Sequence, residues 1–201
     1  MTSPTNTTPT TLPLPTPLIL DLDLTNEQFF QLCQNHRDLK FERTAAGELV
    51  IMSPTGGNTG KRNVKLTTQL DLWNTRTQLG EVFDSSTGFS LPNGADRSPD
   101  AAWVRRDRWQ ALTPEQQDQF VPLCPDFVVE LMSPSDSLER TRQKMAEYLD
   151  NGAQLGWLIN RKQRQIEIYR PGQAAEILAA PTTLSGSEVL PGFVLDLSLI
   201  W

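Results

Sequence analysis

The chain carries one histidine, His36, and two cysteines, Cys33 and Cys124, which stand far apart. A single histidine excludes HExxH zinc chemistry and any multi-histidine metal site. The cysteines make no CxxC motif and no disulfide framework, and they read as buried or idle thiols in a reducing, cytoplasmic compartment. No apolar run approaches the roughly 18 residues of a membrane span. Positive charge is also scarce: 18 lysines and arginines face 24 acids, for a net charge of -6. Any grip on nucleic-acid phosphates must therefore be local. Internal repeats are absent.

What remains is enough for one folded domain. Hydrophobic residues make up 38% of the 201, with five tryptophans among them, so the chain can bury a core. The first seventeen residues, "MTSPTNTTPTTLPLPTP", have no basic cluster, no apolar stretch of signal length and no helical period. They are expected to form a disordered N-terminal arm rather than a targeting signal, leaving a single domain over residues 18–201.

From Leu18 the pattern becomes regular. "TNEQFFQLCQNH" predicts a short amphipathic helix capped at Thr25 or Asn26. "KFERTAAGELVIMSP" reads as two strands around a turn. The glycine-rich stretch "TGGNTGKRNVKL" leads into a helix with Val64, Leu70 and Trp73 near one face. Its spacing departs from a nucleotide-binding loop: Lys61 is followed by Arg62, where Ser or Thr would be needed. Lys61, Arg62 and Lys65 form either a local phosphate contact at this helix start or a solvated charged face.

Short strands follow, separated by "SSTG" and "PNG", and the last of them, "SPDAAWV", opens on Asp100. A loop rich in Pro and Gln, "ALTPEQQDQFVPL", leads to "CPDFVVEL", an apolar strand that nevertheless contains Glu130. "SLERTRQKMAEYLDNG" reads as a helix capped by Ser135 or Asp136 and stopped by Gly152. Leu138, Met145 and Leu149 share its buried face, with Lys144 and Tyr148 one turn apart on the flank, so Lys144 is placed to reach the preceding strand end. "LGWLIN" and "QIEIYRPG" predict a strand pair, and "VLPGFVLDLSLIW" a terminal strand or extended edge. The fold class is α/β, a mixed sheet flanked by helices.

An acid in an apolar strand is expensive to desolvate unless it is paired or holds a cation. Asp100 and Glu130, each at a strand end, are the pair that a hard cation such as Mg2+ would take. The alternative is that Asp100 starts a turn and Glu130 forms a buried ion pair with Lys144 or an arginine, with no metal.

"FERTAAGELVIMSPTGG", "SPDAAWV", "PDFVVELMSPSD", "KMAEYLDNGAQLGWLIN" and "VLPGFVLDL", taken in order, resemble the Uma2 family of endonucleases, also known as domain of unknown function 820 and abundant in cyanobacteria. The resemblance runs from about Leu18 to the C-terminus. It implies the restriction-endonuclease-like fold of the PD-(D/E)xK superfamily and a nuclease that hydrolyses nucleic acid, DNA first, with Mg2+ or Mn2+. By that resemblance Asp100 is the strand aspartate, Glu130 the second acid and Glu42 the acid of the N-terminal element. The position two after Glu130, where the common pattern places lysine, is Met132. Lys144 in the following helix resembles the migrated lysine of some branches, with Tyr148 steadying it. A homodimer is expected by analogy with nucleases that pair to cut two strands. The competing expectation is a catalytically inactive binding or regulatory module on the same fold.

Overall fold

The computed structural model of the protein describes residues 17–201. Residues 1–16 of the expected N-terminal arm lie outside the described residues. The first elements are a strand β1 (Leu18–Asp21), a helix α1 (Asn26–Asn35) and a hairpin of β2 (Lys40–Arg43) and β3 (Glu48–Met52). Thr25 caps α1 through a reciprocal pair with Gln28. The hairpin turns at Gly47, whose φ of 90° is open to glycine and strained for other residues. After α2 (Gly57–Thr77) and β4 (Gly80–Asp84) come the two-residue strands β5 (Phe89–Ser90) and β6 (Asp96–Arg97). These extend the hairpin into an antiparallel sheet of order β1-β3-β2-β6-β5. Phe29, Phe41 and Leu49 form its small core.

The larger sheet holds β4, β7 (Ala101–Arg105), β8 (Phe127–Leu131), β9 (Leu155–Asn160), β10 (Gln165–Tyr169) and β11 (Glu176–Ala179), in the order β11-β10-β9-β8-β7-β4. Every neighbouring pair is antiparallel except β8 and β9, which run parallel. A parallel pair needs a crossover, and α5 (Leu138–Asp150) supplies it. All residues of β8 and β9 are buried, which explains their near-continuous apolar runs.

The two faces of this sheet divide by residue parity. Ala101, Trp103, Phe127, Val129, Leu131, Trp157 and Ile159 join Leu66, Leu70 and Trp73 of α2 in one core. Ala102, Val104, Val128 and Leu158 join Met145 and Tyr148 of α5 in the other. Of the residues expected on the buried face of α2, Leu70 and Trp73 pack on the sheet, while Val64 is 63% exposed and Leu66 takes its place. The glycines before Lys61 belong to the helix itself, with Gly56 as its N-cap, so no phosphate loop forms.

Two further details differ from expectation, and a third agrees with it. The stretch read as a loop, 111–123, holds one short helix, α4 (Pro114–Asp118), capped by Thr113 and Gln116 with Pro114 at its first position, and another, α3 (Arg106–Gln110), directly precedes it. Ser137 caps α5, because the Asp136 carboxylate instead accepts from the Ser133 amide. The C-terminal stretch forms the expected terminal strand, three residues long, β13 (Val194–Asp196), which pairs with β12 (Thr183–Ser185) and leads into a 3-10 turn. Phe193, Leu195, Leu197 and Ile200 then close the α2 side of the core. Both cysteines are free. Among the described residues, no helix is long and apolar enough to cross a membrane.

The close approach of α5 to the sheet depends on Gly156 in β9, where a Cβ would collide with the Met145 terminal methyl and touch Val128 and Leu149. Gly156→Val is therefore expected to lower stability by about 1–3 kcal/mol through overpacking. A urea titration measures the shift in midpoint.

Candidate active site

The register of β7 against β8 pairs Ala101 with Val129, and continuing it one step sets Asp100 opposite Glu130 at the sheet end. Glu130 falls on the α5 face by parity, while Asp100, just before β7, is bonded to Asn63 of α2. Asp100 is fixed at both oxygens: Oδ2 accepts from the Leu131 amide at 2.8 Å, and Oδ1 accepts from Asn63 Nδ2 at 3.0 Å. Glu130 is only 8% exposed.

Helix α5 supplies the cation. Lys144 lies one turn from Tyr148, and both side chains lean over the end of β8. The Lys144 ammonium stands 2.8 Å from Glu130 Oε1 and 2.7 Å from Glu42 Oε1. The Tyr148 hydroxyl donates to the same Glu130 oxygen at 3.1 Å. Met132, two residues past Glu130, is spent on the core, and its amide bonds the Ile159 carbonyl. Lys144 thus reaches the acid from the next helix, as the sequence led us to expect.

Glu42 enters from β2 in the other sheet. Its Oε1 also accepts from the Ser98 amide at 3.0 Å, and its Oε2 pairs with Arg97 at 3.3 Å. Arg97 in turn binds Glu147 of α5. Lys40 sits nearby, donating to the Ser98 carbonyl at 3.0 Å.

The two acids on Lys144 titrate in opposite directions. Burial works against ionised Glu42, but Lys144, Arg97 and Lys40 overcome it and lower its pKa to about 2. For Glu130 burial dominates, and Asp100 and Glu42 add to it against the pull of Lys144, so its pKa rises to about 7. Burial disfavours the charge on Lys144, yet Glu130 and Glu42 outweigh burial and raise its pKa. The lysine is a permanent cation here, Glu42 its ionised partner, and Glu130 the group that changes charge near neutrality.

Asp100, Glu130, Lys144, Glu42 and Tyr148 therefore converge. Lys61 and Lys65 are exposed on α2. Arg62 is committed elsewhere: its guanidinium donates to the carbonyls of Ile200 at 2.7 Å, Asn58 at 2.6 Å and Trp201 at 3.4 Å. Sequence reasoning missed Asn63 and Arg97. Asn63 had a signal, a polar residue one turn before Leu66 and two before Leu70 on the sheet side of α2. Arg97 had none, since its partners come from β2 and α5.

Among the described residues, no three histidine, cysteine or acidic side chains gather as a metal set. Glu42 is taken up by Lys144, Arg97 and Ser98, which leaves Asp100 and Glu130. Two carboxylates with water fit a hard cation such as Mg2+. Asn63, which bonds Asp100 through Nδ2, has its Oδ1 buried without a hydrogen-bond partner.

A mixed sheet with a parallel central pair, a crossover helix and acids at adjacent strand ends defines a restriction-endonuclease-like fold. A solved structure of a putative nuclease belonging to DUF820 from Anabaena variabilis ATCC 29413 superposes with a TM-score of 0.66 at 17% identity, over 80% of this chain and 88% of that one. The chain belongs to the Uma2 family, described as "Putative restriction endonuclease", whose model matches residues 26–198. No curated protein matches it.

Because folding raises the Glu130 pKa from 4.5 to about 7, the folded state favours the protonated acid. This group's contribution to stability is complete below the unfolded value and is lost as pH rises through about 7. Glu130→Gln mimics the protonated form. The variant should match the wild type at pH 4 and be more stable by about 1–3 kcal/mol at pH 8, as read by urea unfolding at the two pH values.

Proposed function

We propose that this protein is a divalent-cation-dependent nuclease that hydrolyses phosphodiester bonds of nucleic acid, with DNA as the first substrate to test. The observation that carries the reading is Asp100 opposite Glu130 at the ends of adjacent strands, with the Lys144 ammonium 2.8 Å from Glu130. Membership of a family described as "Putative restriction endonuclease" supports it. Two reduced cysteines fit a cytoplasmic setting.

Asp100 and Glu130 would hold Mg2+ or Mn2+, which when bound would neutralise charge developing on the phosphoryl oxygens. Lys144, kept protonated by its two acids, is unsuited to abstract a proton. It contributes fixed positive charge for a phosphate and orients water. Glu42 and Tyr148 hold that ammonium and its partner acid in position. The exposed Lys61 and Lys65 offer phosphate contacts beside the helix start. A homodimer would bring two such sites to a duplex.

A second reading has its own support. Lys144 already satisfies both Glu42 and Glu130, which is what a structural ion-pair cluster in a non-catalytic binding module would look like.

Nicking of supercoiled plasmid beside calorimetric titration of Mn2+ separates the two. Wild type should bind Mn2+ and nick, Glu130→Ala should lose both, and Lys144→Met should keep binding while losing nicking by about 10²-fold or more. Below pH 7 the apparent Mn2+ affinity should fall about tenfold per pH unit, because binding must displace the Glu130 proton. A wild type that neither binds nor nicks would establish the binding-module reading instead.

A further inference from the structure

Among the described residues, three buried side-chain atoms lack a hydrogen-bond partner: Asn63 Oδ1, Trp157 Nε1 and Arg161 Nε. Only the first belongs to a side chain bonded to one of the paired acids. Asn63 Nδ2 donates to Asp100 Oδ1 at 3.0 Å. Turning the amide over would press its oxygen against the Asp100 oxygen, so Asp100 dictates which way the group faces. The consequence is a carbonyl oxygen buried beside Asp100 with nothing to accept from. An orphan of this kind is unfavourable in a folded protein, and it calls for a ligand or a function.

The position makes the choice of residue more pointed. Asn63 sits on the sheet side of α2, in line with Leu66 and Leu70, where an apolar side chain would pack without leaving an orphan. Helix α2 runs from Gly57 to Thr77 and buries Leu66, Leu70 and Trp73 against the sheet, so the amide is presented from a rigid element.

We propose that Asn63 Oδ1 is the third protein oxygen of the divalent-cation site, completing the donor set of Asp100 and Glu130. This rests on the cation reading given above. Hard cations accept amide carbonyl oxygens alongside carboxylates. Charge explains why the third ligand is neutral. Two carboxylates balance a dication, and the neutral complex can then receive an anionic phosphodiester. A third carboxylate would leave the site negative and repel it. The remaining acid nearby, Glu42, is already balanced by Lys144 and Arg97.

The test is calorimetric titration of Mn2+ at pH 8 into the wild type, Asn63→Ala and Asn63→Asp, with metal-free thermal melts of each. Asn63→Leu, close in volume, stands in should the alanine variant fail to fold. Loss of the amide oxygen should weaken Mn2+ binding by about tenfold or more. Asn63→Asp keeps an oxygen in place without the N–H, and should bind at least as tightly as the wild type. Unchanged binding in Asn63→Ala would overturn the inference while leaving the cation site at Asp100 and Glu130 intact. Equal weakening in both variants would also overturn it, making Asn63 a residue that only positions Asp100. A wild type that binds no Mn2+ would remove the cation reading itself, and this inference with it.

Discussion

The Lys144 ammonium, held between Glu42 and Glu130, is the contact on which the rest of the site depends. It ties β2 of the small sheet to two consecutive elements far along the chain, β8 of the large sheet and the crossover helix α5. Neither glutamate is tolerable alone in its setting, since an unpaired buried carboxylate costs several kcal/mol or gives up its charge. A buried ion cluster adds little net stability over well-packed apolar residues, so its presence points to arrangement and chemistry more than to strength. What it secures is the orientation of β2 and α5 around the end of β8.

The two acids share one lysine at nearly equal distance and still behave differently, and their second partners are the reason. Glu42 receives an amide from Ser98 and the guanidinium of Arg97, so its charge is solvated by the protein. Glu130 receives only the Tyr148 hydroxyl besides the lysine, and it faces Asp100 across the strands. Equal sharing of the proton is thereby broken. Glu42 becomes a fixed counter-charge, and Glu130 the site where protonation and cation occupancy compete. A like-charged pair of carboxylates is a poor choice for an inert core and a suitable one for a cation site.

Local pattern made much of this legible. An acid in "FVVEL" stands out because β8 is buried on both faces, and the period of "KMAEY" is enough to place Lys144 and Tyr148 on one flank of a helix. The period of the α2 segment was clear while its phase was not: Val64 and Leu66 are two residues apart, and only packing against Trp103 and Phe127 decides between them. Arg97, and the role of Asn63 beyond its place on the buried side of α2, were hidden for a different reason. Their meaning comes from partners on other elements, Glu42 and Glu147 for the first and Asp100 for the second, and sequence spacing carries no trace of such pairings. Capping was missed by one or two positions at α5, because Ser135, Asp136 and Ser137 are all competent caps and Asp136 found a turn amide instead.

Register gives the site its narrowest constraint. Along β8 the odd-numbered residues face α2 and the even-numbered ones face α5, so a slip of one residue would turn Glu130 into the cluster of Leu66, Leu70 and Trp157 and bring an apolar neighbour under Lys144. The surrounding core resists this slip. Phe127, Val129 and Leu131 fill one side while Val128 meets Met145 and Tyr148 on the other, and Gly156 in the parallel strand leaves room for α5 at that level. The same packing that stabilises the sheet therefore aims the carboxylate. Glu130 sits one residue from the end of β8, late enough to meet Asp100 and Lys144 and early enough to stay sheltered from water.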